Sequence, residues 1–366
     1  MHLGKLTALL WFSKIPSRKI GPFAKHKSWW QTEIFRCKKI QFLYLHKYFY
    51  GGATTFTSHL LHSLHSESII KRIGKRSETK LRQFGYGLHY QNVSINDLLN
   101  WTEHPFFITI FKENYLPVIT RLNDDGDNKN ILIIHDHRDI SEKVVPYIKN
   151  KWKLITIRKT VQEYLDTKYN LDSLFLYHPF YPYSVMSSKT HEEKKGAVSI
   201  SRISFEKNTD IIIKANNLLR RQEDQIKLYG SASRMYVHLF LGGYNGDFNK
   251  YYHGIFDKSF STLSNLLAGV KFVVDLSVLK HDGGGTQYTF LEAIHNDCAL
   301  ILHRKWIEKV NPKYCDFKEG YNCFAVENEK ELADLIRKDP ETIAVVQNAK
   351  RLIKRHINIK SEWSKL

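Results

Sequence analysis

Residues 270–302 read VKFVVDLSVLKHDGGGTQYTFLEAIHNDCALIL. The stretch opens on an apolar run of strand length, Val270–Leu276. Asp282-Gly283-Gly284-Gly285-Thr286 follows, then a helical pattern from Gln287 to His295, a turn at Asn296-Asp297 and a second apolar run, Ala299–Leu302. Strand, glycine loop, helix and strand make the repeating unit of a parallel sheet, whose neighbouring strands need a crossover between them. Consecutive glycines let a ligand approach the backbone, and a helix start offers N–H groups to phosphate. Thr286 or Thr289 can add a hydroxyl. Glu292, one turn in from Thr289, can point back to the same end and accept from the hydroxyls of a ribose. A plain glycine turn beside an exposed glutamate is the alternative.

The same alternation extends upstream. A strand at Ala197–Ile203 brings Arg202 to its carboxyl end, Lys207 follows in a short loop, and Asn208 or Thr209 caps a helix over Thr209–Arg220. Ligands of open parallel sheets bind outside the carboxyl ends of the strands. Two cations there suit a diphosphate, although both also fit ordinary solvated loop positions. Gln225–Tyr229 and Tyr236–Leu241 read as strands, Phe260–Leu267 as a helix, and Glu329–Arg337 and Glu341–Arg355 as closing helices. Before a polar, proline-bearing stretch from Tyr181 to Lys195, a first α/β series runs through strand Gln41–His46, a turn at Tyr50–Ala53, helix Thr55–Leu64, a mixed strand and helix segment around Asn100–Lys112, strand Asn130–His135, helix Ser141–Asn150, strand Lys153–Ile157, helix Val161–Lys168 and strand Ser173–Tyr177. The expected architecture is α/β, with two Rossmann-like, doubly wound parallel domains facing each other across a cleft. Residues 39–190 form the first domain and 191–366 the second, with its terminal helices; residues 1–38 form a basic extension.

At 366 residues the chain has room for two cores. Lys plus Arg number 55 against 37 for Asp plus Glu, a formal net charge of +18. Such a field attracts polyanions: nucleic acid, anionic lipid or phosphorylated substrates. No acidic residue precedes Glu33, while basic residues recur beside Trp11, Trp29 and Trp30. That pattern suits peripheral contact with a membrane surface, and a poorly ordered extension equally. The four cysteines form no C-x-x-C pair, as expected of reduced thiols in a cytoplasmic protein.

VSISRISFEKNTDIIIKA at 198–215 and GGGTQYTFLEAIHNDCALIL at 283–302 resemble the signature segments of the group 1 glycosyltransferases, which have the GT-B fold. The resemblance covers residues 197–302 well and the first domain in outline. It implies that Arg202 and Lys207 hold the donor diphosphate, that Gln287, Tyr288 and Thr289 cradle phosphate, and that Glu292 binds the donor ribose. Eight residues before that glutamate the family usually carries another, facing the sugar; here the position is Gly284, with Asp282 the nearest carboxylate. Gly51-Gly52 matches the family's glycine loop near donor and acceptor, and Gly285, in the glycine stretch before the helix, is a further substrate-binding candidate. His135 and Asp136, at the end of a buried strand, match the place of a histidine set against the donor sugar and are the expected catalytic pair. His135-Asp136-His137 also has the H-x-H spacing of a metal site, but no third ligand suggests itself. Lys159 and His178 are further cleft candidates.

The implied activity is transfer of a hexose from a nucleotide diphosphate sugar to an acceptor hydroxyl of a glycan, a lipid or DNA, with retention and with no cofactor or metal required. A glucosyltransferase acting on modified DNA bases is one rival; a non-catalytic nucleotide- or polyanion-binding protein of the same fold is another, and a metal-dependent hydrolase built on His135 and His137 is a third.

Overall fold

The computed structural model describes residues 41–44, 51–64, 69–99, 106–109, 115–122, 130–185, 189–190, 192–243, 246–278, 285–308 and 315–358. Residues 38–366 make one compact unit containing two sheets.

The strands of the first sheet are β1 (Gln41–Tyr44), β2 (Ile70–Ile73), β3 (Arg82–Gly85), β4 (Leu88–Val93), β5 (Phe106–Thr109), β6 (Ile131–Ile134), β7 (Lys153–Thr156) and β8 (Leu174–Phe175). Their spatial order is β3-β4-β2-β1-β5-β6-β7-β8. Every pairing is parallel except the β3–β4 hairpin at one edge, which corrects the expectation of a wholly parallel sheet. Among its helices, α1 (Gly52–Ser63) leaves β1, α2 (Ile95–Leu99) leaves β4 and α3 (Leu116–Leu122) follows β5. Then α4 (Val145–Ile148) links β6 to β7, and α5 (Lys159–Tyr169) links β7 to β8.

The second sheet is parallel throughout, in the order β10-β9-β11-β12-β13. Its strands are β9 (Lys195–Ser199), β10 (Lys227–Leu228), β11 (Val270–Asp275), β12 (Ala299–His303) and β13 (Phe324–Val326). The accompanying helices are α6 (Thr209–Leu218), α7 (Arg234–Phe240), α8 (Asp247–Tyr251), α9 (Phe260–Leu267), α10 (Tyr288–His295), α11 (Arg304–Glu308), α12 (Glu329–Lys338) and α13 (Ile343–Ile357). The run Tyr236–Leu241, expected as a strand, lies mostly in helix α7. Its apolar residues do not all face a core: Tyr236 and Val237 are buried, while Met235, Leu239 and Phe240 stand more than half exposed.

Alternation along β1 shows how the layers form. Leu43 joins a core under α3 and α5, while Phe42 and Tyr44 join the opposite one. That second core continues through Phe56, Leu60 and Leu61 of α1 into Tyr288, Phe290 and Leu291 of α10 and on to Val273 and Leu300 of the second sheet. One apolar cluster therefore joins the two sheets. The stretch Tyr181–Lys195, expected as a polar linker, contributes to it: Tyr183 is buried and stacks on Phe260, and Lys194 is buried with its Nζ donating to the carbonyl of Asn296. Helix α13 returns to the first sheet, where Nδ1 of His356 donates to the carbonyl of His178 and the Phe180 amide donates to the carbonyl of His356. Gly230, at the exit of β10, has φ +129°, and a Cβ there would sit 2.4 Å from the Ser201 carbonyl oxygen. Only glycine lets these two strand exits approach so closely.

Candidate active site

The carboxyl ends of β9 and β11 carry the residues expected to meet a diphosphate. Lys207 lies there with its side chain only 11% exposed. Its ammonium donates to Ser277 Oγ at 2.6 Å and Gln287 Oε1 at 2.7 Å, and it pairs with the buried carboxylate of Asp275 at 3.3 Å. Asp275 also accepts from the backbone N–H and the hydroxyl of Ser277. Gln287 is the N-cap of α10 and makes no side-chain bond to the helix start; the Phe290 and Leu291 amides donate to its carbonyl, which leaves the Tyr288 and Thr289 amides without an intrahelical acceptor. Lys207 thus joins β11 to the start of α10 and balances Asp275, a partner that sequence reasoning missed although it ends the run VKFVVD.

Arg202 is half exposed and pairs with Glu206 at 2.9 Å. Asn208 is the N-cap of α6 in a left-handed conformation. It does not cap that helix through its side chain, whose Nδ2 instead donates to the Leu276 carbonyl at 2.7 Å. Thr286 is buried, Thr289 and Gly285 are half-buried, and all three stand at the α10 start. Asp282 and Gly284 lie outside the described residues.

Two of the expected residues of α10 direct their side chains away from the helix start. Tyr288, Glu292 and His295 are spaced i, i+4 and i+7, which puts them on one stripe of the helix, and that stripe faces α1 and the segment 180–183. The Tyr288 ring stacks on His59 at 4.8 Å, and its hydroxyl donates to the Pro179 carbonyl, so its side chain leaves the phosphate end. Glu292 is 2% exposed. One carboxylate oxygen accepts from His59 Nε2 at 2.8 Å and the other from the Tyr183 hydroxyl. The Tyr181 amide donates to His59 Nδ1 at 3.0 Å, which assigns the proton to Nε2 and makes it the donor to Glu292. Both oxygens of the expected ribose ligand are therefore engaged inside the protein. No local signal marks the pair, because His59 and Glu292 are 233 positions apart.

On the first-sheet side, Gly51 (φ +75°) precedes α1, and among the described residues a Cβ at Gly51 or Gly52 would meet nothing within 4 Å. His135 lies at the end of β6, its Nε2 3.0 Å from the Thr109 hydroxyl and its ring edge-on to Phe56. Burial, helped by the nearby Arg158 charge, lowers its pKa to about 3, so the imidazole is neutral. Asp136 is placed otherwise than a general acid or base requires. It caps a short 3₁₀ turn, accepts from the Arg138 amide and pairs with the Arg138 guanidinium at 2.8 Å. Those bonds overcome the opposing effect of burial and lower its pKa to about 2. His137 turns to Tyr164, away from His135. Among the described residues, no group of three His, Cys, Asp or Glu side chains is placed to hold a metal.

A pocket opens between the two sheets, lined by Arg158, Lys159 and Thr160 at the start of α5, Tyr177 and His178 beyond β8, Gly285 and Thr286 before α10, and Asp316 and His356. His178 and Lys159 are the secondary candidates named above; Arg158, one residue earlier, was passed over.

Two parallel-sheet lobes, a glycine turn after β1 and a cation-lined strand end beneath α10 define a recognisable arrangement. Anabaena Alr3699/HepE in complex with UDP-glucose superposes with a TM-score of 0.63 at 14% identity, over 89% of this chain and 100% of that one. An alpha-glucosyltransferase in complex with UDP and a 13-mer DNA containing a HMU base gives 0.64 at 11%, over 89% and 97%. WaaG, a glycosyltransferase involved in lipopolysaccharide biosynthesis, gives 0.56 at 12%, over 89% and 98%. The chain has the GT-B fold. No protein-family model and no curated protein matches its sequence. In GT-B terms, the pocket at Arg158 and Gly285 lies in the cleft, and the His59–Glu292–Tyr183 cluster lies in the seam where the two lobes are packed together. Among the described residues, no helix is long and apolar enough to cross a membrane.

Proposed function

We propose that the protein transfers a hexose from a nucleotide diphosphate sugar, with a uridine nucleotide the first candidate, to an acceptor hydroxyl. The observation that carries this reading is the position of Lys207, whose ammonium is held by Asp275, Ser277 and Gln287 beside the open start of α10. Departure of a nucleoside diphosphate develops negative charge on its terminal phosphate. Lys207, the exposed Arg202 and the α10 N–H groups would stabilise that charge from fixed positions. They supply what a divalent ion supplies elsewhere, so turnover is expected to survive chelation, and retention of configuration belongs to the same reading. His135, neutral and tied to Thr109, would position the sugar; Asp136 is assigned only to holding the turn that carries it. Gly51 and Gly52 would let donor and acceptor come against the backbone.

Thermal unfolding with UDP and with UDP-glucose tests donor binding, since a ligand at a hundred times its dissociation constant adds about 2.7 kcal/mol. Release of UDP from UDP-glucose, followed with and without EDTA, tests the chemistry. Absence of both a thermal shift and UDP release, across the common nucleotide diphosphate sugars, would remove the reading. For the acceptor, the net charge of +18 favours a polyanion. Duplex DNA is then expected to bind with affinity falling steeply as salt rises. No binding at low salt would leave glycans and lipids as the acceptors.

A further inference from the structure

The first-sheet wall of the cleft carries cationic and donor groups that diphosphate binding at α10 does not use. Helix α5 starts at Lys159 with Arg158 as N-cap, and no side chain caps it. Val161 and Gln162 donate back to the Arg158 carbonyl, leaving the amides of Lys159 and Thr160 at the helix start without an intrahelical acceptor. Arg158, Lys159 and Thr160 line the pocket, and the Arg158 side chain runs 3.8 Å from the Cβ position of Gly285 on the opposite wall.

His178 lines the same pocket and is 6% exposed. It touches the rings of Phe56, Tyr288 and His356, and among the described residues neither of its ring nitrogens has a hydrogen-bond partner. A polar ring so deeply buried and unsatisfied within the protein is suited to a partner from the ligand. Among the described residues, two carboxylates near the pocket have cationic partners, and Asp136 and Asp139 also act on Arg158. Asp316 pairs with Arg355 at 2.8 Å, and Asp136 pairs with Arg138. Burial lowers the pKa of Arg158 to about 10, which leaves it cationic at neutral pH.

Taking the donor reading above as its premise, we infer that Arg158, His178 and the start of α5 form an oxyanion site for a phosphate or carboxylate that the substrate carries besides the donor diphosphate. The guanidinium supplies charge, His178 one N–H, and the Lys159 and Thr160 amides the remaining donors. Two sources share this chemistry: an acidic sugar on the donor or a phosphate on the acceptor.

Calorimetric titration of the full chain separates them. One arm compares UDP-glucuronic acid with UDP-glucose, and the other compares glycerol 3-phosphate with glycerol, with UDP alone as reference. In one arm the anionic probe is expected to bind at least tenfold more tightly than its neutral counterpart. Arg158→Gln and His178→Phe should each abolish that preference, Arg158→Lys should retain part of it, and UDP affinity should be unchanged in all three. Unchanged UDP affinity also certifies that each variant is folded. The inference is overturned if neither anionic probe is preferred. It is also overturned if Arg158→Gln weakens UDP as much as the anionic probe, since Arg158 would then belong to the donor diphosphate. Failure of UDP to bind the wild-type protein would sink the donor reading instead. The glycerol 3-phosphate arm would still decide the site, with circular dichroism then reporting the fold.

Discussion

Helix α10 meets the rest of the molecule in two ways. Along its Tyr288–Glu292–His295 stripe, the polar groups are satisfied by protein: Glu292 by His59 and Tyr183, Tyr288 by Pro179, and His295 by the Tyr183 carbonyl at 2.7 Å. At its start the arrangement is different. The Tyr288 and Thr289 amides have no intrahelical acceptor, Lys207 stands beside them, and Gly285 lines the pocket with Arg158 and His178. A buried carboxylate with both oxygens engaged serves cohesion between lobes, whereas the open amides of a helix start serve a ligand; Lys207, its N–H groups already held by Asp275, Ser277 and Gln287, adds positive charge beside those amides and not an open donor. The contrast assigns different consequences to residues only five positions apart.

The largest expected effect is at the helix start. Lys207→Ala should lower turnover by about 10²–10³-fold, the loss typical of removing one fixed donor from a developing charge. It should also destabilise the fold, because Asp275 loses the cation that balances it; breaking such a buried pair costs about 3–5 kcal/mol. The double variant Lys207→Met with Asp275→Asn separates the two effects, recovering most of the melting temperature and none of the turnover. Recovery of turnover in that protein would show that Lys207 serves the fold alone.

On the seam side the signature reverses. Glu292→Ala leaves the neutral His59 and Tyr183 donors buried without an acceptor and should cost about 1–3 kcal/mol of stability for each. UDP affinity, measured where the variant is still folded, should change little. If instead UDP binding falls by tenfold or more at unchanged melting temperature, Glu292 belongs to the donor site and the contrast along α10 fails.

This contrast also explains what could be read from the sequence. The second sheet was legible because β11 and β12 are covered on both faces and therefore appear as continuous apolar runs, and because a triple glycine marks a strand-to-helix junction. Strands β2 to β4 were not, since IKRI, an inner strand, is only partly buried, RQFG lies at the sheet edge, and both carry lysine or arginine where a buried strand would carry apolar residues. The run at 236–241 misled through composition: its aromatic and apolar residues look like a strand, yet the helix turns several of them outward. Lys207 was found at its strand end because loop cations after parallel strands follow a rule of topology. The roles of Glu292 and Tyr183 depended on a histidine far away in the chain, and pairings of that range leave no trace in spacing.

Acid offers a milder test of the cleft wall. Burial lowers the pKa of His356 to about 4 and that of His135 to about 3, and it keeps His178 well below 6.5 as well. Folded, these rings stay neutral at a pH where the unfolded chain, titrating near 6.5, has taken up protons. The unfolded state therefore binds more protons, and stability falls as pH drops from about 6.5 towards 4. His356 alone, lowered from 6.5 to about 4, corresponds to about 3 kcal/mol. His356→Phe should flatten the pH dependence of the melting temperature in that window. An unaltered slope would mean that the ring is already protonated in the fold.

The smallest expected effect on stability lies at the glycine turn, where the two kinds of region are told apart most directly. Gly52 is the first residue of α1, it is not among the positive-φ glycines, and a Cβ there meets no atom of the described residues within 4 Å. In a region that serves only the fold, Gly52→Ala should therefore be harmless or stabilising by about 0.4–1 kcal/mol, because alanine restricts the unfolded chain more than glycine does. If the space above the turn is kept open for donor and acceptor, the same methyl group enters the volume they occupy. The variant should then melt at or above the wild-type temperature while its KM rises several-fold. Gly51→Ala makes the internal comparison: at φ +75° and ψ −168°, a region open essentially to glycine alone, alanine is strained by about 1–3 kcal/mol, so that variant should lose stability as well. A Gly52→Ala protein with both wild-type kinetics and raised stability would mean that substrates do not approach this turn, and the acceptor would have to be sought along another face of the cleft.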